Sequence, residues 1–352
     1  MKDRFLIFIL NMTNNKPFII AEMSGNHNQS LKRALEIVDA AAQSGADAIK
    51  LQTYTADTIT MRDVFTISDP KSLWNSRDLY DLYQEAHTPW EWHQAIFNRA
   101  KEKNIICFST PFDETAVDFL ETLNNPIYKV ASFEVNHIPL LKKIAQTGKP
   151  VIMSTGASTL PEIEEAVQTL KDNGCKELTL LKCTSTYPAS PENTNLLTIP
   201  DLQQRFQCNV GLSDHTLGIG VAVASIALGA TVIEKHFCLS RAEGGVDSAF
   251  SLEPHEMKAL VEETQHAWLA LGKVTYDIQE TEKGSRMFKR SIYASKDIAV
   301  GELFTPDNIK IIRPAFGMEP KYWEWLLTQK AGKEIGKREP LECNMINKMC
   351  NI

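Results

Sequence analysis

The sequence lacks several features that would assign its class directly. No apolar run approaches the roughly 20 residues of a membrane-spanning helix. Basic residues are not in excess, since 37 Lys and Arg stand against 44 Asp and Glu for a formal charge of −7. That balance gives no electrostatic reason to expect a nucleic acid or an anionic membrane as partner. The seven cysteines include no C-x-x-C pair, a pattern typical of reduced core thiols in a soluble cytoplasmic protein.

What the sequence does contain is the composition of an ordinary globular protein. Of its 352 residues, 43% are hydrophobic and 23% are charged, with 17 Gly and 16 Pro. These values exclude a disordered chain, a collagen and a coiled coil. The length allows either two domains or one barrel of about 250 residues with an attached module.

Short apolar runs alternate with longer segments of helical period between residues 18 and 272. The predicted strands are Phe18–Glu22, Asp47–Leu51, Ile105–Ser109, Ile127–Ala131, Val151–Ser154, Leu178–Lys182, Val210–Ser213 and Val232–His236. The predicted helices are 31–44, 90–103, 114–123, 137–147, 160–172, 197–206, 218–228 and 254–271. The alternation is typical of a parallel sheet with crossover helices, and eight such units within about 255 residues predict an α/β fold of the (β/α)8 TIM-barrel type.

A doubly wound open sheet is the alternative, but the first turn, Ser24 to Asn28, carries no G-x-G-x-x-G motif. The longest insertion, Ala56 to Thr88, follows the second strand, where long barrel loops are more often functional than accidental. After residue 272 the pattern changes to short β-like pieces at 291–294, 297–298, 303–304 and 309–312, which predict a compact β-rich module with its own core. We expect a barrel over 1–272, a linker over 273–290 and a small domain over 291–352.

Polar residues gather where the predicted strands end, which is the active-site face of a TIM barrel. The ends carry Glu22 with Asn26 and His27, Lys50 with Gln52, Ser109-Thr110, Lys129 with Ser132, Ser154-Thr155, Thr184 through Tyr187, Ser213 to His215, and Glu234 to His236. A solvated strand end or a helix cap explains any single one of them. The whole set is hard to explain by packing, so we expect a functional site at this face.

Two lysines, Lys50 and Lys129, lie within or beside apolar runs. A buried lysine is costly unless it is paired, so each is expected to face an anion or a carboxylate. Three interpretations stay open: a salt bridge to Asp47 or Glu234, a Schiff-base lysine that attacks a carbonyl, and a bound phosphate or carboxylate. The anion site is favoured by four nearby hydroxyls, those of Thr110, Ser132, Ser154 and Ser213.

His215 and His236 end the seventh and eighth predicted strands, which are neighbours in a closed barrel. Two imidazoles there can share one divalent cation and leave coordination positions for water and substrate. Two hydrogen-bonded histidines without a metal are the alternative. A structural tetrahedral zinc needs more protein ligands, so Mn²⁺ or Mg²⁺ acting as a Lewis acid fits better.

Segments along nearly the whole chain resemble the sialic acid synthase family in order and spacing. They are Phe18–Asn28, Gly45–Thr53, Ser109–Phe112, Tyr128–Ser132, Ser154–Gly156, Lys182–Ser185 with Tyr187-Pro188, Gly211–His215 and Glu234–His236. The tail resembles that family's C-terminal antifreeze-like (SAF) domain at Arg290–Ala294, Gly301-Glu302 and Arg313-Pro314. One departure is Gln29, where the family usually has Gly.

The resemblance implies a condensation of phosphoenolpyruvate (PEP) with an N-acetylated amino sugar, in which C3 of PEP attacks the open-chain aldehyde. Water then adds to C2, and phosphate leaves by C–O cleavage. The implied PEP ligands are Lys50, Thr110, Lys129, Ser132, Ser154 and Ser213. The implied sugar contacts are Asn28, Gln52, Tyr187, Asp247 and Arg313.

The resemblance also implies a divalent metal, Mn²⁺ or otherwise Mg²⁺ or Co²⁺, on His215 and His236, where it polarises the aldehyde oxygen. Glu234 is the first candidate for handling the proton of the attacking water, and Glu22 is the candidate for the sugar or for a second base. Arg313 lies in the appended module, which in this family reaches the partner subunit's active site. The resemblance therefore implies a domain-swapped homodimer.

Three segments, Gln52–Tyr54, Thr184–Tyr187 and Gly244–Leu252, are similar to the branch of the family that makes pseudaminic acid. The implied sugar is then a 2,4-diacetamido-2,4,6-trideoxy hexose, and synthesis of N-acetylneuraminate or legionaminic acid is the alternative. Two other classes stay open. One is a Schiff-base aldolase that uses pyruvate, and the other is a non-catalytic polysaccharide-binding protein, suggested only by the antifreeze-like tail.

Overall fold

The computed structural model describes residues 16–347, which divide into two compact units at Gly272. In the first unit eight parallel strands follow one another around a closed barrel, with β1 beside β8. The strands are β1 (Phe18–Glu22), β2 (Ala48–Thr53), β3 (Ile106–Pro111), β4 (Tyr128–Val130), β5 (Val151–Ser154), β6 (Leu178–Cys183), β7 (Asn209–Asp214) and β8 (Val232–His236). The predicted TIM barrel is confirmed.

The helices of this unit are α1 (Leu31–Gln43), α2 (Ala56–Ile59), α3 (Leu79–Ala86), α4 (Trp90–Glu102), α5 (Glu114–Thr122), α6 (Ile138–Gln146), α7 (Leu160–Asp172), α8 (Thr198–Phe206), α9 (Gly220–Ile226) and α10 (Pro254–Leu271). The first shows why they form. Ser30 caps α1 by accepting a hydrogen bond from the Arg33 N–H, and the helix buries Ala34, Val38 and Ala41 on one face. All eight predicted crossover helices are present, and no end differs from the prediction by more than two residues.

The insertion between β2 and α4 contains α2 and α3, which sequence periodicity did not reveal because both helices are short. Thr55 caps α2 by accepting from the Thr58 N–H, and Asp78 caps α3 by accepting from the Tyr80 N–H. Side-chain caps therefore begin both helices within a segment whose sequence predicts a loop.

The interior of the barrel is built in layers. An apolar layer consists of Phe18, Ile20, Ala48, Phe108, Ile127, Ile152, Leu181 and Val232. Side chains of a strand alternate between its two faces, so the residue two positions further along also points inward. The next layer is therefore polar and comprises Glu22, Lys50, Thr110, Lys129, Ser154, Cys183, Ser213 and Glu234. Every one of the eight strands contributes one buried polar or thiol side chain to the C-terminal end of the barrel.

The second unit, from Lys273 onward, contains one antiparallel pair, β9 (Ser291–Ala294) with β10 (Ile309–Ile312), and a short helix, α11 (Trp323–Leu326). Its core consists of residues such as Ile292, Phe304, Ile309, Leu326 and Leu341. The predicted β-like pieces at 297–298 and 303–304 form only single bridges, to Ile335 and Lys330. The unit is a small β-rich module with its own core, as predicted.

Within residues 16–347 no helix has the length and apolarity needed to cross a membrane. Five cysteines are free thiols: Cys107, Cys175, Cys183, Cys208 and Cys238. Cys343 is disulfide-bonded, so the expectation of reduced core thiols does not hold there. Cys350 lies outside the described residues.

Gly211 on β7 is required by a close approach between strands. A Cβ at this position would lie 2.1 Å from the Val232 carbonyl oxygen and 2.7 Å from Leu181 Cδ2. We expect Gly211→Ala to force β7 away from β8 and to lower the free energy of unfolding by about 1–3 kcal/mol or more. Gly220→Ala is the control, because a Cβ there has no atom within 4 Å. Urea unfolding followed by circular dichroism measures both, and equal stabilities would contradict this account of β7.

Candidate active site

A cluster of buried charges lies at the C-terminal end of the barrel. Lys50 Nζ is 2.7 Å from Glu22 Oε2 and 3.8 Å from Glu234 Oε2, and it donates a hydrogen bond to Thr110 Oγ1 at 3.2 Å. All three charged side chains are at least 93% buried. Coulomb attraction between such groups is little screened by water. The position of each one therefore depends on the others.

Lys129 extends this cluster from β4. Its Nζ donates to Ser154 Oγ at 2.7 Å and to the Val130 carbonyl oxygen at 2.9 Å, and it lies 3.9 Å from Glu234 Oε1. Ser213 Oγ donates to the same Glu234 oxygen at 3.1 Å. Five of the predicted PEP ligands, Lys50, Thr110, Lys129, Ser154 and Ser213, thus meet in one layer.

The two lysines differ in their proton affinity. Burial alone would lower the pKa of Lys50, but the carboxylates of Glu22 and Glu234 outweigh it and raise that pKa. Burial lowers the pKa of Lys129, and the Glu234 carboxylate only partly opposes it. The predicted ion pairs to Glu234 are present, but the nearest carboxylate to Lys50 is Glu22. Asp47, the other predicted partner, accepts a hydrogen bond from the Ile19 N–H at 2.9 Å.

The pKa values of the two glutamates are shifted in opposite directions. Burial raises the pKa of Glu22, and the neighbouring Lys50 charge opposes this without reversing it. For Glu234 the charges of Lys129 and Lys50 together overcome the effect of burial and lower the pKa. Glu234 is therefore ionised at neutral pH and serves as the counter-charge that both lysines share.

Ser132 lies beside this layer next to a small space left by Gly156. Ser132 Oγ accepts a hydrogen bond from the Gly156 N–H at 3.0 Å. A Cβ at Gly156 would lie 2.2 Å from Ser185 Oγ, 2.9 Å from Ser132 Oγ and 3.1 Å from Cys183 Sγ. Only glycine leaves these three polar atoms facing a common space.

Cys183 was missed from the sequence because an apolar run hides which of its residues point inward. Its Sγ lies 3.9 Å from His215 Nδ1. Burial would raise the pKa of the thiol, but the His215 contact outweighs it and lowers the pKa to about 7. The alternation of β6, counted from Leu181, is the signal that could have identified it.

His215 and His236 lie side by side with ring centroids 5.3 Å apart. His215 Nδ1 donates to the Thr184 carbonyl oxygen at 3.0 Å, so Nε2 carries the lone pair when the ring is neutral. Burial alone would lower the pKa of His215, but the contacts with Cys183 and Thr184 outweigh it and raise that pKa. Burial, reinforced by the neighbouring positive charges, lowers the pKa of His236 well below its ordinary value, so this ring is neutral. Among the described residues its Nδ1 has no hydrogen-bond partner.

As nitrogen ligands, His215 and His236 fit a divalent cation that keeps open coordination positions. Within residues 16–347 no group of three His, Cys, Asp or Glu side chains is arranged to hold a metal. The protein can therefore supply two imidazole ligands, and the remaining positions are left for water or substrate. A structural tetrahedral zinc does not fit this donor set.

Two of the five predicted sugar contacts lie beside the histidines, and two more contact other residues at this end of the barrel. Tyr187 packs on His215 with ring centroids 4.5 Å apart, and Asp247 Oδ2 lies 3.7 Å from His236 Nδ1. Gln52 Nε2 donates to Glu22 Oε1 at 2.8 Å, and Asn28 Nδ2 donates to the Gly244 carbonyl oxygen at 3.2 Å. The fifth, Arg313, is exposed and belongs to the second unit, directly after β10.

Gln29, the departure from the family pattern, has a left-handed backbone with φ of 53°. A glycine adopts this conformation without strain, which explains the usual residue. Here the Gln29 amide donates to the Glu85 and His87 carbonyl oxygens at 2.8 and 2.7 Å. The side chain thereby ties the loop after β1 to the end of α3.

Glu134 is a further carboxylate that the sequence did not reveal. It ends a 3₁₀ turn, Ser132–Glu134, that follows β4, and its Oε2 is buried without a hydrogen-bond partner among the described residues. Burial raises its pKa to about 7, and the charges of Lys129 and Lys50 only partly oppose this. Glu22 and Glu234 form ion pairs with lysines, whereas within residues 16–347 Glu134 forms none.

A second buried ion pair supports the histidines from the outer face of the strands. Lys235 Nζ lies 2.9 Å from Asp214 Oδ2 and donates to the Thr216 and Gly218 carbonyl oxygens at 2.6 and 2.8 Å. Asp214 precedes His215, and Lys235 precedes His236. The pair fixes the backbone at both histidines.

Comparison with known proteins agrees with this arrangement. The NeuB family model matches residues 37–276, and the SAF domain model matches residues 289–346. The pseudaminic acid synthase of Campylobacter jejuni subsp. jejuni serotype O:2 is 46% identical over 326 residues, 92% of this chain and 94% of its own length. The pseudaminic acid synthase of Helicobacter pylori is 42% identical over 336 residues, 94% of this chain and 98% of its own.

A solved structure gives the same result for the fold. The N-acetylneuraminic acid synthetase of Leptospira borgpetersenii serovar Hardjo-bovis, in complex with citrate, superposes with a TM-score of 0.68 at 33% identity. The match covers 77% of this chain and 90% of that one. The resemblance inferred from the strand-end motifs is confirmed, and the chain belongs to the NeuB family and carries a C-terminal SAF domain.

Proposed function

We propose that this protein condenses PEP with a 2,4-diacetamido-2,4,6-trideoxy hexose of altro configuration and water, giving pseudaminic acid and phosphate. The observation that carries the proposal is the layer of two buried lysines and three hydroxyls at the end of the barrel. Such a layer suits a small substrate with both a carboxylate and a phosphate. Support for the sugar comes from relatives named pseudaminic acid synthase that are 46% and 42% identical over nearly the whole chain.

PEP would be held by charge-assisted hydrogen bonds from Lys50 and Lys129. The hydroxyls of Thr110, Ser132, Ser154 and Ser213 would complete the contacts to its carboxylate and phosphate. Each hydroxyl already has its place fixed by a hydrogen bond in the cluster. The site is therefore organised before the anion arrives, which reduces the cost of ordering it on binding.

His215 and His236 would hold the divalent cation, Mn²⁺ or otherwise Mg²⁺ or Co²⁺. When bound, the cation supplies Lewis-acid polarisation of the sugar's aldehyde oxygen. Tyr187, Asp247, Gln52 and Asn28 would orient the open-chain sugar. They would thereby hold the aldehyde near PEP C3, so that the two reacting carbons are brought together by the protein.

The reaction needs one proton-accepting group. A bond forms between PEP C3 and the aldehyde carbon, water adds to C2, and the C2–O bond to phosphate breaks to leave the ketone. The attacking water loses a proton, and the sugar oxygen gains one. Glu134 suits this transfer better than Glu234 or Glu22, because its pKa of about 7 is matched to neutral pH and no lysine occupies it.

Arg313 would act on the sugar from the SAF domain of a second subunit, so the proposal includes a domain-swapped homodimer. Its support is the family resemblance together with the placement of Arg313, exposed, in a compact unit separate from the barrel. A cytoplasmic location is part of the same proposal, and five free thiols support it.

Phosphate release tests the proposed reaction directly. The assay contains PEP, Mn²⁺ and one of three sugars: N-acetylmannosamine, 2,4-diacetamido-2,4,6-trideoxymannose or 2,4-diacetamido-2,4,6-trideoxy-altrose. We expect the altrose derivative to give the highest kcat/KM. Preference for either other sugar would assign the protein to sialic or legionaminic acid synthesis instead.

Treatment with borohydride in the presence of pyruvate tests the Schiff-base aldolase. We expect Lys129 and Lys50 to stay unmodified, whereas a trapped adduct would support the aldolase.

Substitution of Glu134 tests the assignment of the proton acceptor. We expect Glu134→Gln to lower kcat by about 10²-fold or more while the KM of PEP changes little. The wild-type rate should rise with pH through about 7, as Glu134 ionises, and the variant should lack this limb. Glu192→Gln, an exposed glutamate on the loop after β6, is the control. A variant that keeps the wild-type pH profile would exclude Glu134 as the base.

A further inference from the structure

The insertion after β2 contacts two other loops of the site through one half-buried side chain, Trp74. Its indole Nε1 donates a hydrogen bond to the Val246 carbonyl oxygen at 2.9 Å. Its ring lies 5.6 Å, centroid to centroid, from the ring of Tyr187. Val246 follows β8 and Tyr187 follows β6. Trp74 therefore joins the insertion to both loops.

Each of those loops carries a residue that the proposed function places against the sugar. Asp247, next to Val246, accepts a hydrogen bond from the Ser24 hydroxyl. Tyr187 packs on the ring of His215 at 4.5 Å and on that of Phe250 at 5.3 Å. Trp74 lies behind these residues and can act on the sugar through them.

The loop after β8 needs such support because it contains two consecutive glycines just before Val246. Gly244 and Gly245 have φ of 73° and 136°, conformations that hold no other residue type comfortably. Asn28 restrains the loop from one side, since its Nδ2 donates to the Gly244 carbonyl oxygen at 3.2 Å. The Trp74 hydrogen bond restrains it two residues later, immediately before Asp247.

The same side chain extends an aromatic surface. Trp74 adds its ring to those of Tyr187 and Phe250, beside the two histidines. A methyl group gains from contact with such a surface, whereas a hydroxyl without a partner there loses hydrogen bonds to water. The diacetamido-trideoxy sugar has two acetamido methyls and a C6 methyl. N-acetylmannosamine has one acetamido methyl and a C6 hydroxyl.

We propose that Trp74 is a positioning residue that determines sugar specificity, holding Asp247 and Tyr187 so that the site selects a methyl-rich 6-deoxy sugar. The inference rests on the proposed function, from which it takes the sugar. Within residues 16–347 the side chain of Trp74 contacts Val246 and Tyr187, and no contact with the lysine cluster that would hold PEP is seen. Its loss should therefore affect the sugar and leave PEP binding intact.

Two substitutions separate the ring from its hydrogen bond. Trp74→Phe keeps an aromatic ring and removes the indole donor, whereas Trp74→Ala removes both. Trp268→Phe is the matched control, because Trp268 is also half-buried but packs against the outer core from α10. All proteins are assayed for phosphate release with PEP and Mn²⁺ on the diacetamido-trideoxy-altrose and on N-acetylmannosamine.

We expect Trp74→Phe to raise the KM of the altrose derivative about fivefold or more, since it removes one hydrogen bond that orders the loop. Trp74→Ala should lower the kcat/KM ratio between the two sugars about tenfold, the size of the effect when a site no longer holds its apolar surface against a methyl group. In both variants the KM of PEP should stay within about twofold of the wild-type value, as in the control.

Two results would overturn the inference about Trp74 and leave the proposed function intact. One is a Trp74→Ala variant with the wild-type sugar ratio, and the other is a PEP KM that rises in step with the sugar KM. A wild-type protein that releases phosphate with neither sugar would overturn the proposed function itself, and the inference with it. The outcomes therefore separate an error about Trp74 from an error about the reaction.

Discussion

The structure depends on a balance of four buried charges, those of Glu22, Lys50, Lys129 and Glu234. A lysine removed from water is destabilising unless an opposite charge compensates it, and the two glutamates supply that compensation before any substrate is bound. The arrangement has a functional consequence. Because the glutamates hold the lysines in place, an anion that binds there meets donors that are already oriented. An overall charge of −7 is therefore compatible with an anionic substrate.

This balance is possible only because the strands place their side chains with a period of two. The apolar layer below it seals the barrel, and the polar layer above it opens toward the loops. Outward-facing Asp214 and Lys235 form a separate ion pair that fixes the two strands carrying the histidines. Along one strand, the side chains that face inward thus form the site, and those that face outward stabilise the strands that carry it.

Much of this could be predicted from the sequence, because strand–helix alternation and polar strand ends are local patterns. The barrel and Lys50, Lys129, His215 and His236 at its end all came from them. Glu134 and Cys183 did not. Glu134 ends a 3₁₀ turn and has a pKa raised by burial, and neither the turn nor the burial has a sequence signature.

The same distinction applies to contacts between loops. Trp74 and Val246 are far apart in sequence, and only the closed barrel brings them within hydrogen-bond distance. The salt bridge predicted for Lys50 was placed on Glu234 or Asp47, whereas Glu22 is nearest because β1 and β2 pair with Glu22 opposite Lys50. Strand register decides such partners, and register is a property of the whole sheet.

Calorimetric PEP binding by lysine variants tests the central claim most directly. The account predicts that Lys129→Met and the paired variant Lys50→Met/Glu22→Gln weaken PEP binding at least about tenfold, the loss of one charge-assisted hydrogen bond. The paired variant removes both charges, so no carboxylate is left unpaired. Lys182→Met is the control, because Lys182 Nζ donates instead to the Cys183 carbonyl oxygen and to Thr184 Oγ1. This variant should bind PEP as the wild type does. Wild-type affinity in the Lys50 and Lys129 variants would contradict the account.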